Sequence, residues 1–202
     1  MCAVTLLTGC AAQGQAPTRA AGAGTASPAR SAAPKCAADS YVWQSVVERN
    51  VLVGISDAEE IEIPAHGSAR PPEARLVRPL TAGISPASVQ AGARPADALK
   101  SLEEKTSQGL EPVGTRLALS EDGARITSRM LNDDDTPARG RFVEAVGVRL
   151  VTAEFSVTCT GGTVRGTVTT WTRGRIHEHL KCGIKEQLPA IGQEAQRRAC
   201  PA

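Results

Sequence analysis

Between Val151 and Cys159 the chain alternates without a break: Val151, Ala153, Phe155, Val157 and Cys159 are apolar, while Thr152, Glu154, Ser156 and Thr158 are polar. A period of two marks a strand with one buried and one solvated face, and a helix would scatter the same residues around its axis. Gly161-Gly162 follows as a two-residue loop that tolerates positive φ, and then a second run rich in Val and Thr reaches Trp171. With that loop Cys159 faces Val164, Val157 faces Gly166 and Phe155 faces Val168, so the apolar sides of both strands coincide.

Other elements attach to this hairpin. Tyr41 to Ile55 is rich in Val and aromatics, as one strand or a pair would be, and Ile61-Glu62-Ile63 repeats the alternation before Pro64, Gly67, Pro71 and Pro72 interrupt it. Arg75 to Leu80 reads as a short strand. Pro95 opens a helix to about Ser107, with Leu99 and Leu102 on one face and Gly109 at its end. Leu117 to Ile126 reads as a hairpin, because Asp122-Gly123 is a two-residue turn signal that sets Leu119 opposite Ile126.

Ile176 to Cys182 reads as a third antiparallel strand of a meander. A tight Arg173-Gly174 turn would put His177 and His179 on the Val168 face and expel Ile176 and Leu180, so a longer turn or a bulge is required. After Pro189 a short helix carries Ile191 and Ala195. The expected fold is mainly β (α+β): an antiparallel sheet or sandwich with one or two peripheral helices.

Aromatics make up only 2% of the 202 residues, Tyr41, Trp43, Phe142, Phe155 and Trp171 being the whole set, so the core must rest on Val, Leu, Ile and Ala. The formal charge of +2 argues against nucleic acid, and so few aromatics give single strands nothing to stack on. Local charge is uneven: Asp57, Glu59, Glu60 and Glu62 form an acidic run, and Arg165, Arg173, Arg175, Lys181 and Lys185 make the later strands basic. Solvated sheet faces account for both. The sharper reading is a basic face turned toward anionic lipid or wall polymer.

The first residues end in Leu6-Leu7-Thr8-Gly9-Cys10, which resembles the lipobox of bacterial lipoproteins. The resemblance implies cleavage before Cys10 and a diacylglyceryl thioether on its sulfur. No Lys or Arg precedes the short apolar stretch, so the true start and its basic residues are expected upstream. Ala11 to Lys35 is almost wholly Ala, Gly, Pro, Ser, Thr and Gln, a tether with a root-mean-square reach of about 27 Å.

The implied organisation is a partial signal peptide over 1–9, a lipidated cysteine and flexible tether over 10–35, and one disulfide-stapled globular domain over 36–202. Nothing in the sequence reaches the length of a membrane-spanning helix. The expected location is the outer face of the cell membrane, with the lipid anchor as the membrane contact and an envelope protein or wall polymer as a possible partner.

Outside the signal stand Cys36, Cys159, Cys182 and Cys200, an even set that suits two disulfides in an oxidising compartment. The preferred pairing is Cys36 with Cys200 and Cys159 with Cys182. Cys182 with Cys200 would pin the last helix equally well, and a meander would hold Cys159 and Cys182 about 10 Å apart, beyond disulfide reach. The cysteines have no Cys-x-x-Cys spacing for zinc.

His177 and His179 lie two apart on a strand, so both imidazoles share a face and could hold one metal ion, although spacing fixes no third ligand and His66 is distant. Asp133, Asp134 and Asp135 lack the alternating pattern of a calcium loop and read as a solvated turn before Pro137. Trp43 and Trp171 could stack on a sugar, but a chain so poor in aromatics needs both in its core. Ser68 beside His66 has no acid placed by spacing, and Gly161-Gly162 lacks the lysine of a phosphate loop.

From Arg141 to Cys182, the pattern Phe155-x-Val157-x-Cys159-x-Gly161-Gly162, then Gly166-Thr167 before Trp171, is similar to that of uncharacterised secreted lipoproteins of actinobacteria. That similarity implies an export address and no activity. The expected function is a lipid-anchored extracytoplasmic envelope protein, a non-catalytic binding or structural module with no cofactor. The alternative is a metal-dependent surface enzyme using His177 and His179.

Overall fold

A computed structural model describes residues 36–85, 93–119, 129–184 and 187–200. Its strands are β1 (Cys36–Ile55), β2 (Glu59–Ile63), β3 (Gly67–Ala69), β4 (Arg75–Leu76), β5 (Gly83–Ser85), β6 (Met130–Asn132), β7 (Ala138–Cys159), β8 (Gly162–Trp171) and β9 (Ile176–Lys181). Helix α1 spans Pro95–Thr106 and α2 spans Ala190–Ala199. The protein is mainly β, with an antiparallel seven-stranded sheet, a separate β3–β6 pair and two helices.

The 22-residue β7 organises the sheet, because each of its edges is long enough to hold two strands in succession. Along one edge β1 pairs from Ile55↔Ala145 to Cys36↔Cys159, and β2 continues from Glu59↔Phe142 to Ile63↔Ala138. Along the other, β8 pairs from Cys159↔Gly162 to Leu150↔Trp171, and β9 from Gly147↔Ile176 to Phe142↔Lys181. The short β4 and β5 border β1 and β8.

The expected meander is corrected here. Strand β9 pairs with β7 and not with β8, since Thr172 to Arg175 form a jog that lets the chain continue along the same β7 edge. The jog is the interruption that the failed register of His177 and His179 required.

The hairpin register also differs from expectation. Val157 faces Val164, Phe155 faces Gly166 and Ala153 faces Val168, because the loop is Thr160-Gly161 and Gly162 already pairs with Cys159. Gly161, at φ 115, supplies the left-handed position that closes the turn. A two-residue displacement keeps every apolar side chain on its own face. It also sets the Phe155 ring over Gly166, where a Cβ would meet the ring at 2.8 Å.

Odd-numbered residues of β7 face the helices. Val151, Ala153, Phe155 and Val157 pack with Ala98, Leu99 and Leu102 of α1, while Val143 and Ala145 pack with Ile191 and Ala195 of α2. Burying a side chain such as Leu102 or Val151, both fully buried, contributes about 1.5–3 kcal/mol. Helix α1 begins at Pro95 as expected but ends at Thr106, where Ser107 takes the left-handed cap at φ 55 and not Gly109. The Trp43 indole N–H, 3.1 Å from Ser101 Oγ, fastens β1 to α1.

The opposite face of β7 is covered over its first half only. There Val146, Val148 and Leu150 pack with Val51, Val53, Leu117 and Trp171, so Phe142 to Val148 is buried on both faces. The Arg75 to Leu80 strand contracts to Arg75–Leu76, after which Val77 and Arg78 both donate to the Val53 carbonyl. The Asp122-Gly123 hairpin lies outside the described residues.

Candidate functional site

The predicted site residues separate into three places. Cys10 lies outside the described residues. The four cysteines form two disulfides, Cys36–Cys159 and Cys182–Cys200. The preferred pairing is thereby corrected, and its Cys182–Cys200 alternative is the one present. Topology gives the reason: Cys36 faces Cys159 at one end of β7, whereas the Cys182 N–H donates to the Arg141 carbonyl near the other.

His177 and His179 alternate with Ile176, Glu178 and Leu180 on β9. Their cross-strand partners are Val146 and Glu144, and so both point to the face that carries Val148 and Leu150. Glu178 and Leu180 point the other way, toward Gly192 and the α2 core.

Glu144 is the centre of the arrangement. Its backbone N–H donates to Ser56 Oγ at 2.8 Å, and its Oε1 lies 2.8 Å from His177 Nδ1. Side-chain exposure is 9% for Glu144 and 23% for His177, so the pair is enclosed but opens toward solvent at the imidazole. With Nδ1 turned to the carboxylate, His177 presents Nε2 to its surroundings. Neither that atom nor His179 Nε2 has a hydrogen-bond partner among the described residues, although both are buried. Burial pushes His179 below its ordinary 6.5, with Glu144 opposing the shift and His177 reinforcing it.

Arg175, two residues before His177, extends this row. Its Nη2 donates to the Ala118 carbonyl at 2.8 Å, which brings the guanidinium toward the segment whose Leu117 and Leu119 cover Val146. Its Nε and Nη1 are buried without partners among the described residues. Lys181, two residues beyond His179, crosses Gly140, whose absent Cβ would meet the lysine Cε at 2.7 Å. Thus Arg175, His177, His179 and Lys181 make a basic row beside the Glu144 carboxylate.

Sequence reasoning found the two histidines, counted Arg175 only within a basic run, and missed Glu144. A signal was present for Glu144, the sole charge within Phe142 to Val148, and for joining Arg175 to the histidines, since it precedes His177 at strand spacing.

Among the described residues, no three His, Cys, Asp or Glu side chains are grouped so as to hold a metal ion. His66 lies elsewhere, its Nε2 2.8 Å from Asp135 Oδ1. The Asp133 to Asp135 turn is exposed and is shaped by Asn132, whose buried amide donates to the Ile63, Pro64 and Thr136 carbonyls. Trp171 is fully buried, and Trp43 is stacked near Tyr41 and edge-on to Phe155. Ser68 accepts from Arg129. Much of the uneven surface charge is paired, as in Arg75 with Asp57 and Arg139 with Glu62.

No family model, curated protein or solved structure matches this chain.

Proposed function

We propose that this chain is a lipid-anchored extracytoplasmic module that binds a ligand or serves structurally, without catalytic machinery of its own. The observation that carries the reading is the pair of disulfides built into the fold, Cys36–Cys159 and Cys182–Cys200, because such bonds persist in exported proteins and are rare in the reducing cytosol. The lipobox ending at Cys10 and the tether behind it supply the anchor. Membrane lipid, an envelope protein or a wall polymer are the partners such a module would meet.

The test is export from an extended upstream start, with wild type and Cys10→Ala compared by detergent phase partitioning. The wild type is expected in the detergent phase and the variant in the aqueous phase. A wild type that stays aqueous, or a variant that partitions identically, rejects the anchor.

A second reading, a metal-dependent surface enzyme using His177 and His179, has one observation in its favour. The Glu144 carboxylate orients His177 through Nδ1, as outer-shell carboxylates orient metal-binding histidines. One tightly held zinc per chain, lost in both His177→Ala and His179→Ala and kept in Glu178→Ala, would put this reading first.

A further inference from the structure

Three half-buried side chains on one stretch of chain present buried nitrogens that nothing among the described residues satisfies: Arg175 Nε and Nη1, His177 Nε2 and His179 Nε2. Buried polar atoms are nearly always paired, so a group of unpaired ones calls for a missing partner. The Arg175 guanidinium is charged at every relevant pH, and its one hydrogen bond here goes to a neutral carbonyl, that of Ala118. A half-buried cation so placed has no counter-charge bonded to it among the described residues.

The sign of the missing partner follows from the neighbours. Arg175, just before β9, and Lys181, its last residue, flank the histidines at strand spacing, and the carboxylate across the ladder, Glu144, is engaged by His177. A metal cation entering between the two histidines would be repelled by Arg175. An anion would be drawn to it.

The unpaired atoms themselves are buried, while the side chains that carry them are half-buried. Alternate side chains of a strand stand about 7 Å apart, a gap that an anion with two or more oxygens can bridge through charge-assisted bonds of about 2.8 Å.

We propose that Arg175, His177 and His179 form a binding site for a small oxyanion, a phosphate, sulfate or carboxylate group, with Glu144 holding His177 in position. The proposal deepens the reading of the domain as a binding module and is independent of the lipid anchor. Arg175 supplies the permanent charge. His177 donates Nδ1–H to Glu144, so its Nε2 becomes a donor only in the imidazolium form, and anion binding therefore takes up a proton. Among the described residues, the groups facing this position are Glu144 of β7, Arg175 at the end of the jog, and His179 and Lys181 along β9, whereas Glu178 points toward α2.

The test uses the full oxidised chain in a zwitterionic buffer, titrated with sodium sulfate, whose charge is constant from pH 6.0 to 7.5. Inorganic phosphate and acetate are run as further arms, the imidazole resonances being followed by NMR. Saturable one-to-one sulfate binding that moves the His177 and His179 signals is expected. Binding should be tighter at pH 6.0 than at pH 7.5, as uptake of a proton on binding requires. Arg175→Gln should weaken it about tenfold or more, and Lys100→Gln, on the exposed side of α1, should leave it unchanged.

No imidazole response to about 20 mM of any of the three anions at pH 6.0, an affinity indifferent to Arg175→Gln, or binding that tightens toward pH 7.5 would overturn the proposal. So would a response to phosphatidylglycerol vesicles with none to the free anions, which would relocate the recognition to a lipid surface. If Arg175→Gln does not fold, the wild-type imidazole shifts and their pH dependence decide alone. A chain that binds sulfate but fails to enter detergent would reject the anchor and leave this site standing.

Discussion

Glu144 Oε1 hydrogen-bonds with His177 Nδ1 at 2.8 Å on the diagonal of the β7–β9 ladder, although the residue directly opposite Glu144 is His179. Diagonal neighbours on an antiparallel pair remain within side-chain reach. The choice of partner leaves His179 with burial as its dominant influence, and burial holds the imidazole below its ordinary 6.5. The unfolded chain then takes up a proton near 6.5 while the folded chain does so later. Stability is complete above 6.5 and is lost as the pH falls from there toward the lowered folded value. His179→Gln is expected to flatten the decline of Tm between pH 7.5 and 5 in buffer free of sulfate and phosphate. An unchanged acid slope in that variant contradicts the burial argument.

Glu178, on the opposite face, carries the opposite pH signature. Burial raises its carboxyl above the ordinary 4.5, and the backbone N–H of Gly192 works in the other direction. The folded chain holds the proton more tightly than the unfolded one, so stability present below 4.5 is lost as the pH rises through the raised value. At pH 7.5 the carboxylate is charged against Leu180 and Leu188 beside Gly192. Glu178→Gln keeps an acceptor for Gly192 and removes that charge. Its Tm is expected to exceed wild type at pH 7.5 and to match it near pH 4; a loss of stability at both values would sink the assignment.

Gly147 sets how closely α2 approaches the sheet. A Cβ there would collide with Ile191 Cδ1 and fall 3.2 Å from the Val51 carbonyl oxygen. Ile191 is only 2% exposed and has little room to withdraw. Gly147→Ala is therefore expected to cost about 1–3 kcal/mol by urea denaturation, in the range of overpacked cores. Ile191→Val removes Cδ1, so the double variant should recover part of that loss. Strictly additive losses in the double-mutant cycle would show that the two positions do not compete for space.

The strand alternation from Val151 to Cys159 was readable because one face is solvated and the other is covered by α1, so period two survives in the sequence. Phe142 to Val148 hides the same geometry, because burial on both faces erases the alternation. The α1 boundary slipped by only a residue or two, since Pro95 fixes a start while Ser107 can take a left-handed cap that favours glycine. The position of β9 was not readable: a meander and a jog along one edge of β7 use the same strand sequences and differ only in the route of Thr172 to Arg175. His177 and His179 were visible by spacing, whereas Glu144, remote in sequence, joins them only once that route is known.

The two disulfides close loops of very different length, with sequence separations of 123 for Cys36–Cys159 and 18 for Cys182–Cys200. In the chain-entropy account the longer loop constrains the unfolded state more, which predicts stabilisation of about 5 kcal/mol for the first and about 3 kcal/mol for the second. Their structural roles also differ. Cys36–Cys159 staples the end of the β1–β7 ladder, already held by many cross-strand pairs. Cys182–Cys200 ties the cap of α2 to the residue after β9, and α2 otherwise rests mainly on Ile191 and Ala195. The Cys36→Ala/Cys159→Ala double variant should therefore lose more global stability in urea while keeping uniform amide protection across the sheet. The Cys182→Ala/Cys200→Ala variant should lose less overall but expose the amides of Ala190 to Ala199 selectively, because detachment of one short helix needs only local opening. Equal losses in urea, or peptide mapping that recovers Cys36 linked to Cys200 in the wild-type chain, would refute this division of roles.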